Sequence, residues 1–231
     1  MSLSNMLPTS LISGLVIVLL CLACAPGAAA ADVPKCLARE PSDTVEYTAA
    51  RAKLSPKELL ARLVYAEALS TGFGDDPLVH EAIAWGVMNR VWLAERSESM
   101  KKSFGSGIRG VVFRKGQFNP AVSPRSPFSK DFLCPKEPAL WRFALEAAAK
   151  AMTGERNPLI QTPWEHENHL SLVVNFYYPR SVQAKGPYPP WEGGGALEFI
   201  GDVMIGDRLL PAEHVRFYRL ARPPADLKPA R

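Results

Sequence analysis

One glutamate combines a reactive side chain with a position that could alter its chemistry. Four residues share one face of a predicted helix, at the spacing i, i+3, i+4 and i+7: Leu60, Leu63, Val64 and Glu67. Since three of them are apolar and should face a core, the carboxyl group of Glu67 is expected at a buried surface. Burial and a nearby helix C-terminus both raise a carboxyl pKa. Glu67 is therefore a candidate general acid near neutral pH. The alternative is a structural glutamate at the rim of the stripe, paired with Arg62 or a later arginine.

Two histidines could suggest a metal site instead. In residues 166–169 (HENH) they are spaced i, i+3, whereas the helical zinc-protease motif needs i, i+4. A zinc site would need a third ligand, for which His80, Glu165 and His214 are candidates. The simpler interpretation is a solvated loop, so we expect no metal.

Other catalytic motifs are weaker. The segment 105–107 (GSG) lacks the G-x-S-x-G pattern of a nucleophile elbow. No P-loop or dinucleotide fingerprint occurs in the sequence, so no cofactor is expected.

Local signals predict three helices that would position Glu67. A capping box with proline at the first helical position, Ser55-Pro56-Lys57-Glu58, starts a helix that runs to about Ser70. Asp76-Pro77 starts a second helix, to about Glu95, and a third covers residues 137–152 and ends at Gly154.

The remaining segments predict little regular structure before residue 171. Residues 32–53 read as a polar tail, 97–110 as a loop, 111–113 as a short strand and 116–138 as irregular. Strand-like composition returns at 171–178, 199–205 and 214–220, with turns over 179–195. This order predicts an α+β, mainly helical single domain with a small sheet, rather than a parallel βαβ fold.

Composition narrows the class of protein. The chain has 231 residues, 47% hydrophobic and 22% charged, with a net charge of +4. These values are typical of a globular domain, and the mild charge argues against nucleic-acid binding while it suits weak attraction to an anionic polymer.

The N-terminus predicts export. An apolar run at 11–23 precedes small residues that end at Ala31, which is typical of a secretory signal peptide over residues 1–31. The alternatives are a lipoprotein signal with Cys24 as the acylated residue, or an uncleaved anchor. Membrane contact is expected only through such a signal or lipid, in the periplasm or cell envelope.

Two cysteines remain after signal removal. Cys36 and Cys134 form an even pair in an oxidising compartment, which favours a disulfide over two free thiols.

Five segments, in order, resemble the SleB-like cell wall hydrolases, the family of the spore-cortex-lytic enzymes. They are residues 60–68 (LARLVYAEA), 82–91 (AIAWGVMNRV), 110–120 (GVVFRKGQFNP), 176–179 (FYYP) and 214–218 (HVRFY). The first three are the more specific. The resemblance implies a domain over residues 54–222, followed by a tail at 223–231. The chain departs from the family at residues 68–72 (ALSTG) and in an insertion-like stretch at 94–106.

The resemblance implies a lysozyme-like, lytic transglycosylase-like fold that cleaves peptidoglycan glycan strands between N-acetylmuramic acid and N-acetylglucosamine. The family's catalytic glutamate maps onto Glu67. A lytic transglycosylase needs one carboxyl group, whereas an ordinary glycosidase needs two. Asp75, Asp76 and Glu81 are the candidates for a second one in a hydrolytic alternative. Older descriptions of the family as amidases, and an inactive peptidoglycan-binding protein, are further alternatives.

Several polar and aromatic residues are candidates to contact the sugars. They are Tyr65, Asn89, Gln117, Phe118, Tyr177 and Tyr178. Each aromatic could equally pack in the core, and Asn89 could cap a turn. Arg90 could pair with an acid, and Gly86 should allow the second helix to approach the first closely.

Overall fold

The structure, a computed structural model, describes residues 32–229. The predicted signal peptide and Cys24 lie outside the described residues. The α+β, mainly helical class with small antiparallel sheets is confirmed. No helix in the described part of the chain is both long and apolar enough to cross a membrane.

Nine helices and five strands are found over residues 32–229. The helices are α1 (Val45–Arg51), α2 (Pro56–Thr71), α3 (Pro77–Arg96), α4 (Glu98–Phe104), α5 (Gly107–Val112), α6 (Asn119–Val122), α7 (Ser129–Leu133), α8 (Pro138–Thr153) and α9 (Pro163–Asn168). The strands are β1 (Val173–Tyr177), β2 (Leu197–Phe199), β3 (Val203–Ile205), β4 (Arg208–Leu210) and β5 (Arg216–Leu220).

Helices α2, α3 and α8 form the core, and their predicted boundaries are confirmed to within about a residue. Ser55 accepts a hydrogen bond from the Glu58 amide, and Asp76 accepts one from the Leu78 amide. Gly72 closes α2 in the left-handed conformation, at φ 85°. Because α2 is covered on nearly all sides, it carries Glu67 as a rigid element.

The strands form two antiparallel sheets, one with the order β1-β5-β2 and one made of β3 and β4. Strand β1 lies against α3, where the Asn89 side chain donates to the Val173 carbonyl at 2.9 Å. The role predicted for Gly86 is wrong. A Cβ there would lie 2.9 Å from the Phe176 ring, so this glycine admits strand β1 rather than helix α2.

The segment predicted as a loop at 97–110 instead holds α4 and α5, and residues 111–113 end α5 rather than form a strand. Ser97 caps α4 through the Met100 amide. Asp226, in the C-terminal segment, accepts hydrogen bonds from the Ser97 hydroxyl and the Ser99 amide. The end of the chain is therefore tied to this helix.

The N-terminal segment also packs on the domain, contrary to the expected loose tail. Val45 and Ala49 of α1 are buried, and Cys36 is joined to Cys134 by a disulfide. The buried Arg62 guanidinium reaches the same two segments, donating to the Lys35 and Leu133 carbonyls at 2.8 and 2.9 Å.

Candidate active site

A cleft of about 180 Å³ opens beside Glu67, between the end of α2, the loop before α6 and the end of β1. Its lining is mostly polar and aromatic: Glu67, Ser70, Arg90, Gln117, Asn119, Pro120, Phe176, Tyr177, Tyr178, Ser181, Gln183 and Ala184. Among the described residues of this lining, Glu67 is the one carboxylic acid.

Glu67 is held in a setting that favours its neutral form. Its side chain is nearly buried, with 5% of the residue exposed, and that remainder faces the cleft. Burial raises the pKa of Glu67 from 4.5 to about 7, against the opposing effects of the Tyr178 hydroxyl and the Arg90 charge. The carboxyl group can therefore both hold and release a proton near neutral pH.

Tyr178 and Arg90 are the two polar neighbours of this carboxyl group. The Tyr178 hydroxyl is buried, and none of the described residues forms a hydrogen bond of normal geometry with it. It faces Glu67, and burial together with the Glu67 charge raises the pKa of Tyr178 well above its usual value. The phenol therefore remains protonated and available as a donor.

Arg90 is a nearly buried cation in the lining of the cleft. Its Nε donates to the Val174 carbonyl at 2.5 Å. Its guanidinium carbon lies 4.7 Å from the Phe118 ring centroid and 5.1 Å from that of Phe176. Burial lowers the pKa of Arg90 to about 10. The side chain thus stays charged near neutral pH and opposes the neutral form of Glu67.

The structure brings half of the predicted sugar-contacting residues to the cleft. Gln117, Tyr177 and Tyr178 line it. The Tyr177 hydroxyl is partly engaged, since it donates to the Gly186 carbonyl at 2.7 Å.

The other three predicted contact residues are corrected. Tyr65 is buried, and its hydroxyl accepts hydrogen bonds from the Lys136 and Glu137 amides at 3.2 Å. Asn89 is buried between β1 and the Asn157 side chain, which donates to it at 2.7 Å. Phe118 is 1% exposed and packs behind the cleft. These side chains satisfy internal contacts and cannot reach a ligand.

The candidates for a second carboxylate lie outside the cleft lining. Asp76 caps α3 and lies 3.7 Å from both Arg208 and His214. The Glu81 carboxylate pairs with the Lys150 ammonium group at 2.6 Å. Asp75 is also absent from the residues that line the cleft.

The candidate zinc ligands do not converge. His80 Nε2 forms a hydrogen bond with the Gly74 carbonyl at 2.8 Å, and the His214 ring stacks on the Phe73 ring with centroids 3.7 Å apart. Glu165 forms a capping box with Thr162 and also accepts a hydrogen bond from the Leu172 amide, and residues 163–168 are helical rather than a loop. Within residues 32–229, no three His, Cys, Asp or Glu side chains are grouped to hold a metal ion.

Sequence reasoning missed part of the cleft wall. Arg90 was considered only as a structural partner of an acid, and Ser70, Asn119, Ser181 and Gln183 were not singled out. Ser70 could have been found, because it lies three residues after Glu67 on the same helix face. The residues at 181–184 belong to an irregular segment, where no periodicity reveals which side chain faces the cleft.

Comparisons with models of known families, with characterised proteins and with solved structures give no match to this chain.

Proposed function

We propose that the protein is an exported, peptidoglycan-degrading enzyme of the SleB-like family with a lysozyme-like fold. In this proposal it cleaves the bond between N-acetylmuramic acid and N-acetylglucosamine as a lytic transglycosylase, without a cofactor. The observation that carries the proposal is Glu67, a nearly buried carboxyl group with a pKa near 7 at the wall of an open cleft. The sequence resemblance supplies the substrate.

The proposed reaction uses one proton and one carboxyl group. Protonated Glu67 donates its proton to the glycosidic oxygen as the bond from C1 of the muramic sugar to that oxygen breaks. The C6 hydroxyl of the same sugar then bonds to C1 and gives its proton to the Glu67 carboxylate. The product is a 1,6-anhydro sugar, and the enzyme returns to its starting protonation state.

The composition of the cleft supports a single-acid reaction. A hydrolytic mechanism of the usual kind needs a second carboxylate about 5–10 Å from the first. Asp75, Asp76 and Glu81 are not part of the lining. The serine, amide and tyrosine side chains that remain are suited to hydrogen bonds with hydroxyl and acetamido groups.

The decisive experiment is the digestion of purified peptidoglycan by the wild-type protein and by Glu67→Gln, followed by muropeptide analysis. The expected result is anhydromuramic ends from the wild type, formed roughly a thousandfold more slowly by the variant. Reducing ends would mean a hydrolase, and free peptides an amidase. Wild-type protein that binds but releases nothing would be an inactive binding protein. Equal turnover by Glu67→Gln and the wild type would refute the role of Glu67.

A further inference from the structure

Three exposed aromatic side chains lie together on the outer face of the sheet and the loop before it. Tyr188, Trp191 and Phe199 are 60%, 37% and 41% exposed, and we call them the outer aromatic patch. They gather around Arg216 and Tyr218 of β5. Large exposed rings that cluster in this way are typical of a binding surface.

Arg216 holds two of the rings in position. Its guanidinium carbon lies 3.9 Å from the centroid of Phe199 and 4.9 Å from that of Tyr188. The positive charge of the guanidinium is attracted to the electron-rich face of each ring. The rings are therefore already arranged before a ligand arrives.

Tyr218 and Glu192 hold the third ring. Trp191 packs edge-on against Tyr218, with centroids 4.7 Å apart. The Tyr218 hydroxyl donates to Glu192 at 2.5 Å, and Arg216 pairs with the same carboxylate at 3.0 Å. The patch thus combines flat apolar faces with a polar network that has ordered hydrogen-bonding groups.

A second groove adjoins the cleft at Glu67 and reaches one ring of this patch, Tyr188. The groove has a volume of about 520 Å³, and Tyr188 and Arg216 are part of its wall. It shares Ser181 and Ala184 with the catalytic cleft. A polymer that passes Glu67 can therefore continue over these two residues to Tyr188 and Arg216, and Phe199 lies beside Arg216 at the end of this path.

We propose that the outer aromatic patch is a second sugar-binding site, which holds the part of the glycan strand that lies away from the bond being cleaved. This inference rests on the proposed function, because the strand must pass Glu67. Sugar rings present apolar C–H faces that stack on aromatic side chains, and their hydroxyl groups suit Glu192 and Arg216. The site makes the enzyme prefer long strands to short fragments.

The test compares Tyr188→Ala and Trp191→Ala with the wild type on long glycan strands and on a short muropeptide fragment. The ratio of kcat/KM for the long substrate to kcat/KM for the short one should fall about tenfold in each variant. This change corresponds to the loss of one stacking contact worth about 1.4 kcal/mol. The matched control is Tyr47→Ala. Tyr47 is 58% exposed on α1 and packs on Arg51, outside both the outer aromatic patch and the two grooves, so the ratio should remain at the wild-type value.

A second measurement does not need catalysis. In the Glu67→Gln background, Trp191→Ala should weaken binding to insoluble peptidoglycan about tenfold, whereas Tyr47→Ala should not. Equal binding by both variants, or an equal loss of activity on long and short substrates, would overturn the second site. A wild-type oligomer that Trp191→Ala lacks would assign the patch to self-association and also overturn it. Because binding is measured without turnover, a failure of the proposed reaction remains distinguishable.

Discussion

The carboxyl group of Glu67 is balanced between two opposing influences. Removal from water favours the neutral acid, whereas the Arg90 cation and the Tyr178 hydroxyl favour the anion. The result is a pKa of about 7, so that both protonation states are accessible at neutral pH. Without the Tyr178 hydroxyl and Arg90, burial would raise the pKa of Glu67 further and disfavour the carboxylate that must act as the base.

The raised pKa of Glu67 lowers the free energy of unfolding at neutral pH, and Glu67→Gln should reveal this effect. Between pH 4.5 and about 7 the folded protein holds a proton that the unfolded chain has lost, so stability falls as the pH rises through this window. At pH 8 the free energy of unfolding of Glu67→Gln should be roughly 3 kcal/mol larger than that of the wild type. Urea unfolding at pH 8 and at pH 4 measures the difference, which should vanish at pH 4. Equal stability at pH 8 would contradict a buried, strained carboxylate.

The pH dependence of cleavage should follow the same group. A general acid must be protonated, so kcat/KM should decline about tenfold per pH unit above pH 7. In Tyr178→Phe the hydroxyl that lowers the pKa of Glu67 is lost, so this decline should begin at a higher pH. Tyr177→Phe is the matched control, because its hydroxyl is bonded to Gly186 and not to Glu67. A decline that starts at the same pH in all three proteins would exclude Tyr178 from this role.

At the scale of elements, the sequence predicted those helices whose ends it encodes locally. Ser55, Asp76 and Gly154 each lie within four residues of the groups that they cap or close, so local reading finds α2, α3 and α8. Helix α4 also has a local cap, Ser97, which the sequence prediction of a loop overlooked, and Asp226 adds support to its first turn from far along the chain. Glu67 was found from the helical spacing. Tyr65 and Asn89 were misassigned, because their partners at 136–137, 157 and 173 are distant in sequence.

Gly86 gives a prediction about how α3 and β1 fit together. An alanine there gains about 1 kcal/mol in helix propensity, but its Cβ would lie 2.9 Å from Phe176 and 3.5 Å from Phe217. Gly86→Ala should therefore lower the free energy of unfolding by roughly 1–2 kcal/mol net. Because Phe176 also lines the cleft, the substitution should lower kcat/KM as well. Chemical denaturation and a turnover assay measure both effects.

The control for this substitution is Gly194→Ala, where the new Cβ would lie 3.5 Å from the Trp191 carbonyl oxygen, an ordinary contact. Its unfolding free energy should stay within about 0.5 kcal/mol of the wild type. A Gly86→Ala protein as stable as this control would mean that Phe176 moves without resistance.

At the scale of the whole molecule, two links hold the N-terminal segment to the domain. The Cys36–Cys134 disulfide spans 98 residues of sequence, and Arg62 bonds the neighbouring carbonyls of Lys35 and Leu133. The covalent link restricts mainly the unfolded chain, whereas the arginine stabilises the folded one. The two links therefore respond differently to reduction.

Replacing both cysteines, as Cys36→Ala with Cys134→Ala, should lower the free energy of unfolding by about 2–5 kcal/mol, since a loop of this length loses much entropy when closed. Activity at 25 °C should persist, because neither cysteine lines the cleft and Arg62 still holds the segments together. Thermal unfolding with and without a reducing agent checks this. The reducing agent should destabilise the wild type to the level of the double variant and leave that variant unchanged. If reduction had no effect on the wild type, the disulfide would not restrict the unfolded chain. If reduction abolished activity at 25 °C, the hydrogen bonds of Arg62 alone would be too weak to hold the N-terminal segment on the domain.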